Sequence, residues 1–357
     1  MKKSLLLITM FVCLAMNAQT IEIDGKNADW ANIPMLNEPG VSPIFKMIVP
    51  QTGLTLPTNA AYCVMVERTA AQKATHGGYP VVYVDADQNK ATKKASIDPW
   101  YCPAFGPEYE MATWDTGNTF GANTDETIHE MCVVKSNFDS VPFPFKGSFN
   151  AWLLLNNWAK LLPNDPDANG WLWDESTYHP IIVKPFTFAD LNGTLAASAT
   201  YSTHEALAPG ASLDMTNGYA NAVKLWASWA VELKTPAKYT IKANITGTNT
   251  ASIDLKLVNL ATNAVVASFA SEDLVAGAIV EVGEWDLSAV PAGKYMLKFS
   301  NHVEWSDMKL NSLTLAQKGG TGIDNTAVDA QATKLIRDGQ LVIIRNGVEY
   351  NAAGQMK

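Results

Sequence analysis

Apolar and polar positions alternate most clearly between Trp285 and Leu315. After the turn Pro291-Ala292-Gly293, Tyr295, Leu297 and Phe299 fall on one face and Lys294, Met296 and Lys298 on the other, which is the period of a half-buried strand. The next run begins with Met308 and Leu310 inward and ends with Leu313 and Leu315 inward. Its parity therefore switches near Asn311-Ser312, which predicts a bulge. Upstream, Tyr239, Ile241, Ala243 and Ile245 alternate with Thr240, Lys242 and Asn244, and Ile253, Leu255 and Leu257 alternate with Asp254 and Lys256. The first half holds shorter apolar runs, at 61–66, 81–84, 131–134, 152–155 and 181–186, bounded by Gly, Pro and Asp. At its start Ile21 and Ile23 alternate into a strand, Asp24-Gly25 turns, and Trp30 and Ile33 read as core anchors. Helical periodicity is confined to one short turn expected around 152–162. The pattern predicts an all-β chain of two antiparallel, jelly-roll-like β-sandwich domains followed by a short C-terminal β-meander.

Residues 1–18 pair a basic end with an apolar run and small residues, the pattern of a secretory signal cut after Ala18. The expected divisions are a first sandwich over 19–185, a second over 186–317, a Gly-containing linker over 318–331 and a tail over 332–357. In the tail, Asp338-Gly339 and Asn346-Gly347 are strong two-residue hairpin signals joining three brief strands. The formal charge of −9 becomes −11 once Lys2 and Lys3 leave with the leader, which disfavours nucleic acid and anionic membranes as partners. No later apolar run reaches the ~18 residues of a membrane helix. The expected location is outside the cell or on its outer surface, with the periplasm as the alternative. Cys63, Cys102 and Cys132 remain after the leader, enough for one bridge and one thiol, with the pairing open.

Residues 20–185 resemble the family 9 carbohydrate-binding and DOMON-like β-sandwiches. The likeness is carried by Asp24, Gly25, Asp29 and Trp30 in IEIDGKNADW and by the strand and acidic loop VVYVDADQNKAT. The second half resembles family 6-like, galactose-binding-type jelly rolls through Trp229, Val231, Leu233, Tyr239 and Ile241, followed by the P-A-G-x-Y strand. The tail is similar to the C-terminal sorting domain of type IX secretion, through Asn351, Gly354 and Gln355. These resemblances imply sandwich folds, a carbohydrate ligand and surface attachment through the tail.

Sites of chemistry are fewer. Asp165-Pro-Asp167-Ala-Asn169-Gly170 matches the first half of a calcium loop, with oxygen side chains two residues apart and a Gly for the bend. Asp174 and Glu175 would supply the closing carboxylate, and the competing reading is an ordinary polar turn. No catalytic motif emerges: His129-Glu130 lacks the second His of a zinc-protease helix, and no G-x-S-x-G elbow occurs. Eleven Trp suit a protein that stacks sugar rings on indoles. Trp30, Trp229 and Trp285 sit in strand patterns as core, whereas Trp226 and Trp305 are expected off the strands. The ligand loop is taken as 300–307, with Trp305 as platform, Asn301 and His302 at the hydroxyls, and Trp226 as a second wall. The reading is a secreted, non-catalytic glycan-binding protein. Its rivals are a structural or adhesive surface protein that binds another protein, and a polysaccharide-active enzyme with unrecognised catalytic residues.

Overall fold

The computed structural model describes residues 19–36, 44–75, 81–87, 109–111, 119–139, 149–155, 160–162, 181–200, 202–203, 210–215, 225–301, 308–318, 333–337, 340–345 and 348–350. The chain up to Lys318 forms one unit and Gly319–Lys357 another. All-β structure dominates both. The described helices are only α1 (Ala70–Thr75), α2 (Ser136–Asp139) and two 3-10 turns.

In the first half the strands are β1 (Gln19–Thr20), β2 (Ile44–Ile48), β3 (Leu54–Thr55), β4 (Ala60–Glu67), β5 (Val81–Asp85), β6 (Tyr109–Met111), β7 (Thr119–Ala122), β8 (Ile128–Val134), β9 (Phe149–Leu155), β10 (Lys160–Leu162) and β11 (Ile181–Val183). One sheet runs β2-β4-β8-β7; the other runs β10-β9-β5-β6, with β11 also on β9. Between them Phe45, Met47, Tyr62, Val64, Val66, Met131 and Val133 meet Val82, Val84, Phe149, Ala151 and Val183. The outer face of the first sheet is covered as well: Ile48, Cys63, Met65 and Cys132 pack with Ile21, Trp30 and Ile33 of the N-terminal segment. Burial on both faces is why β4 reads as an unbroken apolar run with no alternation. Cys63 and Cys132 stand opposite each other on β4 and β8 and are bridged, with 4.1 Å between Cα atoms. That settles a pairing the sequence left open; Cys102 lies outside the described residues.

Two local expectations give way. The strand expected through Ile23 ends at Thr20, because the chain then turns across β7. The turn expected over 152–162 falls largely on β9 and β10, an antiparallel pair with Leu155 opposite Lys160, where backbone pairing overrides a weak helical pattern.

The second half adds β12 (Ala189–Asp190), β13 (Gly193–Ala196), β14 (Ser202–Thr203), β15 (Leu213–Asp214), β16 (Leu225–Leu233), β17 (Lys238–Asn259), β18 (Val265–Asp286), β19 (Gly293–Asn301) and β20 (Lys309–Gln317). β17 belongs to both layers. Its first part, Tyr239–Thr246, pairs with β20, and its second, Asp254–Asn259, pairs with β19, while β18 follows it along both. Register shifts between Ile245 and Ile253 mark the crossing. One layer is therefore β13 and β15 on β20 with the start of β17; the other is β12 and β14 on β16, then β19 and the end of β17. The alternating residues close the core between them: Trp229, Leu255, Leu257, Leu297 and Phe299 face Tyr239, Ile241, Leu310, Leu313 and Leu315.

The predicted bulge is present. Asn244 pairs with Ser312 and Ile245 with Leu310, so Asn311 is the extra residue and both halves of β20 point their leucines inward. Both tyrosines that open a strand are anchored the same way, Tyr239 donating to the Thr235 carbonyl and Tyr295 to that of Pro291, each at 2.6 Å. Pro236-Ala237-Lys238-Tyr239 and Pro291-Ala292-Gly293-Lys294-Tyr295 thus each place a turn-anchored tyrosine at the start of a strand. In the tail, β21 (Thr333–Arg337), β22 (Gln340–Arg345) and β23 (Val348–Tyr350) form the expected antiparallel meander, with Arg337 opposite Gln340 and Arg345 opposite Val348.

Candidate binding site and the buried polar clasp

The candidate glycan site is built on β16 and β19. They pair without interruption from Leu233–Gly293 to Leu225–Asn301, which puts Trp226 opposite Ser300 and Asn301 opposite Leu225. Trp226, expected off the strands, is the second residue of β16. Ser300 and Asn301, expected in the loop, end β19, because their backbones still have partners on β16. The connection thereby shortens to 302–307. The two strands bring Trp226 and Asn301 to one end of the same layer, next to that connection. His302 and Trp305 lie outside the described residues, as do Asp165, Asp167, Asn169, Asp174 and Glu175.

The three tryptophans assigned to core are there: Trp30 is fully buried, Trp229 donates from Nε1 to the Ala196 carbonyl at 2.9 Å, and Trp285 packs against Phe269. The outer face of the β16–β19 layer departs from the half-buried pattern. Ser228, Ala230, Met296, Lys298 and Ser300 are each at most 3% exposed, and only Lys294 of the expected outward set reaches solvent. Met296 and Val258 are covered by Met35, from the first half of the chain.

A second constellation lies in the first sandwich. Glu130 on β8 is fully buried, and its carboxylate accepts from the backbone N–H of Asp24 (3.0 Å) and Gly25 (2.5 Å) and from Nε1 of Trp30 (2.5 Å). Asp24, Gly25 and Trp30 are thus gathered by one acid at least 100 positions downstream. Two glycines permit the approach. Gly25, at φ +78°, would drive a Cβ to within 2.4 Å of the Ala122 backbone, and a Cβ on Gly121, which pairs with Glu130, would meet the Ile23 backbone at 2.9 Å. Burial pushes the Glu130 carboxyl up to about 7 against the pull of its three donors. Its neighbour His129, buried beside the Arg68 guanidinium, is pushed down to about 4, first by burial and then by that charge.

Lys46 is a further buried ionisable side chain. Its Nζ donates to the carbonyls of Trp30 and Leu260, both at 3.0 Å, so it ties the clasped N-terminal segment to the turn after β17. Burial lowers it to about 8. Sequence reading passed over Glu130 and Lys46, since His129-Glu130 is conspicuous only as half of a zinc motif. The available clue was Trp30 itself, because an indole read as a core anchor needs an acceptor for its N–H. Among the described residues no cluster of His, Cys, Asp and Glu is arranged to hold a metal ion.

No protein-family model matches the chain, and no curated protein matches it. Among solved structures it is similar to a glycoside hydrolase family 43 arabinoxylan arabinofuranohydrolase from Bacillus subtilis in complex with cellotetraose, at 11% identity, 77% of this chain, 52% of that one and a TM-score of 0.30. It is also similar to CsCBM6-3 from Clostridium stercorarium in complex with cellobiose, at 9% identity, 37% of this chain, 98% of that one and a TM-score of 0.23. A further family 6 carbohydrate-binding module matches at 10% identity, 38% of this chain, 99% of that one and a TM-score of 0.22. The chain spans about half the length of the arabinofuranohydrolase. Since these TM-scores are all low, the functional reading rests on the chain's own residues.

Proposed function

We propose that the protein is exported and binds glycan, without catalysing a reaction, at or near the bacterial surface. The observation that carries this reading is the pairing of β16 with β19, which sets Trp226 and Asn301 at one strand end beside the segment holding His302 and Trp305. By register position 226 shares the face of Ser228 and position 301 the opposite one, so both could serve one ligand only at the strand ends, where an indole is suited to stack a sugar ring and an amide to hydrogen-bond its hydroxyls. Burial of Ser228, Met296, Lys298 and Ser300 closes the outer face of the layer, so the ligand is met at the strand ends instead of lying across the sheet. The Cys63–Cys132 bridge suits an oxidising compartment and so favours export.

Affinity electrophoresis against a polysaccharide panel, run beside thermal melts, tests the site. Trp305→Ala should lose glycan retention, a loss of roughly 1–3 kcal/mol by the scale of aromatic stacking, while melting almost as before. Unchanged retention with a collapsed melt would make Trp305 a core residue and end the proposal for this loop. Calcium is proposed at Asp165, Asp167 and Asn169, closed by Asp174 or Glu175. Adding calcium to chelated protein should raise Tm, and Asp167→Ala should abolish that response; no shift at millimolar calcium would leave an ordinary turn. The adhesive reading is favoured by one feature: Val265 and Val266 are 40% and 38% exposed on β18, which pairs only with β17 among the described strands.

A further inference from the structure

The clasp has a consequence for the first residue of the exported chain. Once a leader is cut after Ala18, Gln19 becomes N-terminal, and an N-terminal glutamine can close on itself. Its α-amine attacks the side-chain Cδ, a new N–Cδ bond forms, the Cδ–Nε2 bond breaks, and ammonia leaves with the displaced nitrogen, giving a five-membered lactam, pyroglutamate. No oxidant, metal or cofactor is consumed.

In the folded chain the two reacting nitrogens are held by different parts of the molecule. The Gln19 backbone nitrogen is 3.1 Å from the Gly53 carbonyl, in the short parallel pair where Gln19 stands opposite Leu54. Nε2, the atom that must leave, donates to the Asp29 carbonyl. Asp29 sits in the 3-10 turn Ala28–Trp30, whose Trp30 is held by Glu130 and whose carboxylate Oδ2 takes the Glu22 N–H at 2.6 Å. Ring closure requires Cδ to swing back onto the α-nitrogen, which breaks the bond to Asp29. We propose that Gln19 is a pyroglutamate-forming site gated by docking of the N-terminal segment: it closes while that segment is free, and the Glu130 clasp holds it open once docked. The site rests on the export reading above, since without the cut there is no α-amine.

Two arms separate the two ideas. In the first, the folded chain is released from a removable N-terminal tag so that it begins at Gln19. Loss of one ammonia is then followed by intact mass and by the mass of the N-terminal peptide near neutral pH. Native wild type should keep Gln19 open. The same chain in urea, and a Glu130→Gln variant shown by circular dichroism to be folded, should close faster by roughly tenfold or more, because closure then proceeds from the open segment. Equal rates in native and unfolded wild type, or no closure in either, would overturn the gate; the urea comparison stands even if the variant fails to fold. In the second arm the chain secreted with its own leader is analysed for its first residue. A start elsewhere than residue 19 would overturn the export cut assumed here and leave the gating result intact.

Discussion

Glu130 and His129 are consecutive on β8 and both buried, yet their protons move in opposite directions on folding. Glu130 titrates at about 7 when folded against 4.5 ordinarily, so between those values the native state holds a proton that the unfolded chain has released, and stability falls as pH rises. His129 titrates at about 4 against 6.5, so the unfolded chain holds the extra proton and stability rises with pH. Over the shared window of roughly pH 4.5–6.5 the two slopes cancel, and wild-type stability should be nearly flat there. His129→Gln should uncover a decline, and Glu130→Gln a rise, each of at most about 1.4 kcal/mol per pH unit. Urea unfolding across this range checks it; a steep wild-type slope that neither variant alters would refute the pairing. Gly25→Ala, which forces a Cβ into the Ala122 backbone at a left-handed residue, should cost more than about 2 kcal/mol in the same assay.

The strands show how much the sequence could say and where it stopped. Where one face is core and the other wet, as in the first part of β17, alternation gave the right inward set, and on its partner β20 it put the bulge near Asn311-Ser312. It failed on β19, where Met296 and Lys298 look outward by parity but are buried under other parts of the chain, and long-range covering leaves no local trace. The same reason hid the clasp: Glu130 reads as an ordinary strand acid until residues 24–30 are brought onto it. At the candidate site, legibility stopped at strand ends. Pairing of Trp226 with Ser300 extends both strands beyond what turn residues suggest. The bulge itself is testable. Deleting Asn311 removes the parity switch and must turn either Leu310 or the Leu313–Leu315 pair outward. The expected cost is about 3–5 kcal/mol, read as a lowered urea midpoint, and a midpoint equal to wild type would mean that the bulge is dispensable.

The two sandwiches of the unit up to Lys318 are joined more firmly than a linker would join them. Met35 packs with Val258, Leu260 and Met296; Lys46 spans Trp30 and Leu260; Gln51 exchanges two hydrogen bonds with the Phe186 backbone. Residues 186–318 expressed alone would bare Met296, Val258 and Leu260, and should melt at least ~5 °C below the intact chain or aggregate. Removing 319–357 should leave the melt of the remainder unchanged, because that segment is a separate unit with its own meander. A free-standing 186–318 with undiminished Tm, or a large drop on losing the tail, would each contradict this picture.

The strand shared by both layers also bears on the order in which the second sandwich assembles. β17 and β18 are joined by the turn Leu260–Ala264, where Asn259 Oδ1 caps the N–H groups of Ala261 and Thr262 and Asn263 adopts φ +54°. Such a hairpin closes a short loop, on the microsecond scale of local contacts, long before distant strands can meet. Once formed, it hands one edge to each layer, so β19 and β20 add to a template already bent to the final geometry. Leu255→Ala and Ile241→Ala, one in each arm of β17, should therefore slow folding, whereas Leu195→Ala on peripheral β13 should chiefly speed unfolding. Stopped-flow chevrons separate the two, and a folding limb unmoved by both β17 changes would place the nucleus elsewhere. For a sandwich whose pairings are otherwise remote in sequence, the hairpin converts a slow search into the growth of two sheets from one seed.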